Sequence, residues 1–314
     1  MKHVVVVTYG EPMTAAFVDQ LVYSWRILIG LTRSVADIPA PLLPLIALSR
    51  GRGRNAMWKR EGYTSPLEPI TIAQAERLRS ALASQSGDEW KVHVAYEFRT
   101  PLVGPVIENI PANDEVFVAP MYAADSAFTH ELSRQAVAAV SSRRARPVVV
   151  LPALAADVLA ELSARHVMKF LEAESVESRS TALVLAAHGT LLQPSRPIET
   201  GYVATEQLCR GIERRLSESF GLIANGWLNH TRGGKWTEPA IEETLSRVSA
   251  LGYKEVVYYP YGFLADNAES QLEGRMAAAA HPGMRVRFVP CFNESPDLAD
   301  TIAAQIARLR QEPA

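Results

Sequence analysis

Apolar residues fall along this chain in two alternating patterns. Continuous runs rich in β-branched residues, bounded by turn formers, predict buried parallel strands at 3–8, 91–97, 115–120, 147–151, 181–187, 222–227, 254–260 and 285–289. Between them, helical periodicity predicts helices over 13–29, 67–85, 125–143, 153–171, 200–219, 237–251, 267–280 and 296–311. Strand and helix alternate throughout, which predicts an α/β fold of parallel sheets joined by crossover helices, with the eight strands making two four-stranded sheets. The apolar stretch Pro41-Leu42-Leu43-Pro44-Leu45-Ile46-Ala47-Leu48 runs into Arg50-Gly51-Arg52-Gly53-Arg54, which reads as a basic loop.

The pattern repeats. Glu115-Val116-Phe117-Val118-Ala119-Pro120 resembles Glu255-Val256-Val257-Tyr258-Tyr259-Pro260, and each is followed by an acidic residue, Asp125 and Asp266, suited to cap a helix. At 314 residues the chain suits two domains of about 150 residues each. The polar run Arg143-Arg144-Ala145-Arg146-Pro147 marks the division, giving domains 1–143 and 144–295. Hydrophobic residues make up 48%, enough to fill two cores. The net charge of −2 argues against nucleic acid as a partner, since that needs a basic face. Two distant cysteines, Cys209 and Cys291, make neither a disulfide framework nor a metal motif and fit a reducing compartment. There is no signal-peptide pattern and no apolar run of membrane-spanning length, so the cytoplasm is the expected location.

Ligands of open α/β sheets sit beyond the carboxyl ends of the strands. Tyr9, Met121, His188 and Phe263 all fall at or just after such ends. His188 closes Leu183-Val184-Leu185-Ala186-Ala187, and Gly189 follows; Val4-Val5-Val6-Val7-Thr8-Tyr9-Gly10 has the same layout with a tyrosine in the imidazole's place. A strand end holds a side chain rigidly, and imidazole there can accept a proton or bind a transition metal. After a second glycine turn come Asp266, Glu269 and Glu273, spaced i, i+3 and i+7. They read either as an N-cap at Asp266 with Glu269 completing a capping box, or as a row of carboxylates that take protons or pass a hydrated divalent cation. Trp227 and Trp236 flank the polar glycine stretch 229–234, as core anchors or as a lid on a flat aromatic ligand. Arg52 and Arg54 lie beside the greasy 41–48 stretch, where they either face solvent or hold carboxylates of an apolar ligand.

Taken in order, these elements resemble the ferrochelatase family of single-subunit (class II) porphyrin metal chelatases over nearly the whole chain. The resemblance rests on Thr8-Tyr9-Gly10-Glu11-Pro12, Gly62-Tyr63-Thr64-Ser65-Pro66-Leu67 with Ile70-Thr71 and Gln74, and Pro120-Met121-Tyr122. It continues through Ala187-His188-Gly189, Tyr202 with Cys209, Trp227 with Trp236 and Pro239, Gly262-Phe263-Leu264-Ala265-Asp266-Asn267-Ala268-Glu269, and Pro290-Cys291-Phe292-Asn293 with Pro296-Asp297.

The resemblance implies two Rossmann-like domains of the chelatase type, a porphyrin in the cleft between them, and a C-terminal helix (296–314) returning to the first domain. It implies His188 and Glu269 as the essential pair, on facing domains, for proton removal and metal handling. Glu273 joins them in an acidic path for metal. Tyr9, Met121, Trp227, Phe263, Asn267, Arg52 and Arg54 line the substrate. The implied reaction inserts ferrous iron into protoporphyrin IX or coproporphyrin III in haem biosynthesis. Porphyrin and iron are then the partners, iron is a substrate, and no organic cofactor is needed. Peripheral membrane contact through 41–48 is a further expectation, and the sequence leaves the oligomeric state open.

The chain departs from the family in places. Asn267 stands where many members carry histidine, Thr190-Leu191-Leu192 interrupts the usual pattern after the glycine, and Glu97 stands where many carry arginine. Two alternatives follow: a divergent chelatase for another tetrapyrrole or metal, or a non-catalytic haem- or porphyrin-binding protein.

Overall fold

The structure is a computed structural model that describes residues 1–34, 38–194, 196–229 and 234–311. It contains β1 (Lys2–Thr8), α1 (Phe17–Ser34), α2 (Leu43–Arg60), α3 (Leu67–Ser86), β2 (Trp90–Tyr96), α4 (Val103–Glu108), β3 (Glu115–Pro120), α5 (His130–Val140), β4 (Val148–Val150) and α6 (Ala156–Ala173). These are followed by β5 (Ala182–His188), α7 (Tyr202–Leu216), β6 (Leu222–Leu228), α8 (Ile241–Ala250), β7 (Glu255–Tyr259), a π-helical segment (Ala268–Glu273), α9 (Gly274–Ala279), β8 (Arg285–Phe288) and α10 (Pro296–Gln311). Two all-parallel four-stranded sheets result, in the orders β2-β1-β3-β4 and β6-β5-β7-β8. The same strand order occurs twice, and the two look-alike segments of the sequence, β3 and β7, occupy the same place in their sheets.

The inner strands β1, β3, β5 and β7 carry continuous apolar runs because helices cover both faces of a parallel sheet. Val4–Val7 of β1 and Leu183–Ala186 of β5 are wholly buried. One core gathers Val5, Val7, Ala95 and Val118 under α4 and α5; the other gathers Val184, Ala186, Val256 and Tyr258 under α8 and α9.

The chain divides into two compact units. The N-terminal unit comprises Met1–Ala153, Pro194–Ile198 and Asn293–Ala314, and the C-terminal unit comprises Leu154–Gln193 and Glu199–Phe292. The division therefore falls beyond residue 143, because β4 pairs with β3 and belongs to the first sheet. Arg143–Pro147 is a polar loop ahead of an edge strand, not a linker. Helix α10 packs on α3 of the N-terminal unit through Leu298, Ala299, Ile302, Ala303 and Ile306, a stripe at helical spacing.

The basic stretch 50–54 is not a loop. It lies within α2, which accommodates Pro44 in its first turn, where a missing N–H costs nothing. Gly51 serves packing: an added Cβ would sit 3.0 Å from Leu21 Cα, so its absence lets α2 close onto α1. Neither Asp125 nor Asp266 is a cap. Asp125 forms a two-pronged ion pair with Arg134 at 2.8 Å, and Thr129 occupies the N-cap position of α5. Among the described residues no helix is long and apolar enough to cross a membrane. Residues 230–233 of the polar glycine stretch and 312–314 of the C-terminal segment lie outside the described residues.

Candidate active site

His188 is the last residue of β5, paired in register with Leu228 of β6. Gly189 prolongs the ladder by donating its N–H to Leu228 O at 2.7 Å. Glycine alone fits without displacing a neighbour: an ideal Cβ would lie 1.8 Å from Asn229 Oδ1. Asn229 is held by Thr237, donating from Nδ2 to Thr237 O at 3.0 Å and accepting from Thr237 Oγ1 at 3.4 Å. Thr237 Oγ1 accepts from Thr190 N at 3.2 Å, and Thr237 N donates to Thr190 O at 3.0 Å. Thr190, Asn229 and Thr237 thus brace the turn that carries the imidazole. Their chain separation, and the variability of polar loop residues generally, hides them from a sequence reading.

The carboxylate arrives from the loop after β7. Gly262 donates to Ala186 O at 3.3 Å, and a Cβ on it would meet Ala187 Cβ at 2.8 Å, so this loop lies directly over the end of β5. Asp266 anchors the far side: Oδ1 accepts from Cys291 N at 2.9 Å and from Gln271 Nε2 at 2.7 Å. Asn267, extended in backbone, then caps the π-helical segment. Its Oδ1 accepts from Glu269 N at 2.9 Å and Ser270 N at 3.0 Å, while Ser270 Oγ accepts from Asn267 N at 3.0 Å. The capping box is therefore Asn267 with Ser270, one residue later than the expected Asp266 with Glu269. Glu269 is left outside it.

That carboxylate meets the imidazole. His188 Nδ1 and Glu269 Oε2 are 3.0 Å apart, with side chains 47% and 31% exposed. The expectation that the two come from facing domains is not met: both belong to the C-terminal unit and are in direct hydrogen-bond contact. When the neutral ring donates from Nδ1 to the carboxylate, Nε2 carries the lone pair. A nitrogen lone pair so oriented can accept a proton or bind a transition metal.

Glu273 lies one turn along the π-helical segment, half-buried beside Tyr258, whose phenol is raised by burial first and by the nearby Glu273 and Glu242 charges. Among the described residues no three His, Cys, Asp or Glu side chains converge to hold a metal, so Glu273 does not complete a three-ligand site with the pair.

The remaining candidates are dispersed. Trp227 is 1% exposed, against Tyr202 with ring centroids 6.0 Å apart, so it is a core anchor and not a lid. Phe263 is likewise buried in the C-terminal core, and Met121, just after β3, is buried too. Tyr9, just after β1, is half-buried and stacks on Phe98 at 6.0 Å and against Tyr122 at 4.6 Å. Arg52 and Arg54, two apart on α2, point to different sides of the helix. Arg52 is exposed, whereas Arg54 lies over the Tyr23 and Trp58 rings and donates from Nε to Gln20 at 2.9 Å, with Glu11 3.8 Å from its Nη2.

Both cysteines are buried thiols; burial pushes Cys209 up to about 12 and Cys291 well above its usual range. In the N-terminal unit, Glu97 is a feature that sequence alone did not rank as chemical. Ser133 Oγ donates to it at 2.6 Å, and burial raises its carboxyl to about 7.

The fold of known chelatases covers the whole length of the chain. A multi-domain Deinococcus radiodurans protein described as similar to chelatases aligns with TM-score 0.58 and 16% identity, over 99% of this chain and 56% of that one. CbiX, the terminal enzyme for siroheme biosynthesis in denitrifying bacteria, aligns with TM-score 0.54 and 15% identity, over 98% and 99%. The sirohydrochlorin chelatase SirB of Bacillus subtilis subspecies spizizenii, in complex with cobalt, aligns with TM-score 0.54 and 12% identity, over 100% and 97%. At these identities they establish the fold alone.

Curated relatives named ferrochelatase include that of Marinobacter nauticus, 26% identical over 291 residues, or 85% of this chain and 76% of that protein. That of Neisseria meningitidis serogroup A is 25% identical over 294 residues, or 87% and 83%. The ferrochelatase family model matches residues 2–309, which contain both sheets, the His188 turn and the Asn267–Glu269 cap. On that match, over a fold shared with chelatases, the chain belongs to the ferrochelatase family.

Proposed function

We propose that this protein inserts ferrous iron into protoporphyrin IX or coproporphyrin III in haem biosynthesis, with His188 and Glu269 as the acting pair. Membership of the ferrochelatase family makes it a porphyrin metal chelatase, a lyase with porphyrin and iron as substrates. The observation that carries the assignment of residues is the 3.0 Å hydrogen bond between the strand-end imidazole and the π-helical carboxylate.

Metal insertion releases two pyrrole protons and forms four metal–nitrogen bonds. A flat macrocycle keeps its lone pairs in the ring plane, so a site that bends the ring lowers the barrier by binding strain. A base must then take protons without itself drifting. His188 is fixed by the β5–β6 ladder and the Gly189 turn, and Glu269 orients the ring from Nδ1. The imidazolium formed on proton uptake is stabilised by the same carboxylate. Because the two are in contact, they act as one base and ligand unit from one side, not as separate groups on two sides of the ring.

The proposed location is the cytoplasm, which suits two buried thiols. Peripheral membrane contact is proposed through Leu42 and Leu45, exposed at the start of α2.

The test is anaerobic mixing of protein, ferrous iron and each porphyrin. Collapse of the free-base visible bands into metalloporphyrin bands, lost in His188→Ala, is the expected result. A bound-porphyrin spectrum with no turnover in the unaltered protein sinks the proposal and favours a carrier. Turnover with cobalt or another tetrapyrrole only corrects the substrate.

A further inference from the structure

Asn267 has no proton to exchange at neutral pH, yet it stands two residues from the carboxylate of the acting pair. Its side chain is spent on the backbone around it. Oδ1 accepts from Glu269 N at 2.9 Å and from Ser270 N at 3.0 Å, and Nδ2 donates to Ala265 O at 3.1 Å. Its own N–H donates to Ser270 Oγ at 3.0 Å, and Ser270, wholly buried, donates back to Asn267 O at 3.2 Å. Both lone-pair positions of Oδ1 and one of two amide protons are committed, which leaves a single donor for any ligand.

We propose that Asn267 is a positioning residue for metal insertion: by capping the π-helical segment it fixes the backbone of Glu269 and holds that carboxylate on His188. The proposal rests on the porphyrin chelatase reading above and names how this chain sets the geometry of its pair. The physical reason is the winding of the segment. A π-helix is intrinsically rare and occurs mostly as a single turn joined to α-helix, frequently at functional sites. Here the far end runs into α9 through Gly274, where an added Cβ would meet the Tyr258 hydroxyl at 2.8 Å. At the near end, the Asn267 side chain takes the N–H groups of Glu269 and Ser270. Both N–H groups that Oδ1 holds lie in the first turn, and one is that of Glu269 itself. Loss of the cap lets this turn rewind, and the carboxylate swings with it.

The role depends on a compact oxygen acceptor, not on an amide and not on an ionisable ring. A histidine at this position cannot take both N–H groups as the amide oxygen does, since imidazole Nδ1 offers a single in-plane lone pair where Oδ1 offers two. Restoring the residue many family members carry is therefore expected to slow this enzyme.

The experiment compares Asn267→Gly, Asn267→Ser and Asn267→His in the full-length protein. Steady-state metallation is followed with saturating ferrous iron, and melting is recorded for each variant. Glycine keeps a tolerated N-cap backbone without the acceptor, so the fold survives its test. The expected result is a kcat about tenfold lower or more in Asn267→Gly with KM for porphyrin within about twofold, as a misplaced group predicts. Asn267→Ser, which restores the acceptor without charge, is expected to recover kcat to within about threefold of the unaltered protein. Asn267→His falls with the glycine variant.

Wild-type kcat in Asn267→Gly overturns the proposal. So does a faster Asn267→His, or a serine variant as slow as the glycine one, which assigns the amide a direct role. A raised KM with kcat unchanged also overturns it, because the residue then binds substrate. Failure of the unaltered protein to metallate any porphyrin is a different result and strikes the chelatase reading itself.

Discussion

The two sheets share one strand order, but the residues at the ends of their leading strands differ in kind. In the N-terminal unit, Tyr9 follows β1 and packs its ring among Phe98 and Tyr122, and Glu97, next after β2, puts a carboxyl into the same neighbourhood. Burial raises that acid to about 7, and the buried Tyr122 phenol beside it is held far above its ordinary value, by burial first and then by the Glu97 charge. In the C-terminal unit, His188 ends β5 and Asn229 follows β6, and the acidic partner is a half-buried glutamate in hydrogen-bond contact. One end is an aromatic surface over a desolvated acid; the other is a wet, oriented imidazole–carboxylate pair. Strand topology decides where a site lies, and the side chains delivered there decide its chemistry.

The largest expected effect separates the two ends by activity. His188→Ala is expected to lower metallation by about 10³-fold, within the usual range for a lost acid–base group, while Tyr9→Phe, which keeps the ring, costs less than about tenfold. The rate at which free-base porphyrin bands disappear measures both. Equal losses would show that the tyrosine end carries chemistry too.

The glycine after each strand end sharpens the contrast by stability. Gly10 has φ of +71° and a Cβ there would lie 2.5 Å from Tyr96 Cβ, close to backbone and unable to move. Gly10→Ala is expected to cost about 3 kcal/mol, from strain and overpacking together. At Gly189 the nearest obstacle is the tip of Asn229, which can swing away at the expense of its Thr237 bonds, and the Leu228 carbonyl at 2.9 Å then needs only a small shift. Gly189→Ala should cost about 1–2 kcal/mol in a denaturant titration while disturbing activity more.

Glu97 gives the buried acid a pH signature. Its folded value, about 7, lies above the unfolded value of 4.5, so the folded state holds the extra proton between them. Stability from this group is full below pH 4.5 and is lost as pH rises toward 7, by at most about 3 kcal/mol. Urea midpoints measured across that window should fall with pH in the unaltered protein and flatten in Glu97→Gln. A matching slope in both would mean that the acid is solvated.

The smallest effect concerns α2. Arg54→Ala removes stacking on Tyr23 and Trp58 and is expected to cost about 1–2 kcal/mol, whereas Arg52→Ala stays within about 0.5 kcal/mol. If instead Arg52→Ala weakens porphyrin binding severalfold in a fluorescence titration, the exposed cation does contact substrate.

Much of the fold was legible from the chain because parallel strands covered on both faces leave unbroken apolar runs. All the expected strands exist, and the imidazole was singled out because it ends such a run before a glycine. Helix α2 was missed for a matching reason: Pro44, Gly51 and Gly53 imitate a loop, and the packing of Gly51 on Leu21 that rewards glycine is invisible in one dimension. The cap was displaced by one residue, from Asp266 to Asn267. Either side chain can cap, and only the claim of Cys291 N and Gln271 on Asp266 decides between them.

The sequence by itself determined the alternation of strand and helix, the doubling of the sheet and the presence of an imidazole at a strand end. These follow from local periodicity and from the steric demands of a covered parallel sheet. Only the tertiary structure decided that Glu269, 81 residues further on, touches that imidazole, that Trp227 and Phe263 are core, and that Asn267 is a cap. Contacts of that range depend on the crossing of the β7 loop over β5, a fact of packing that no stretch of either segment encodes alone.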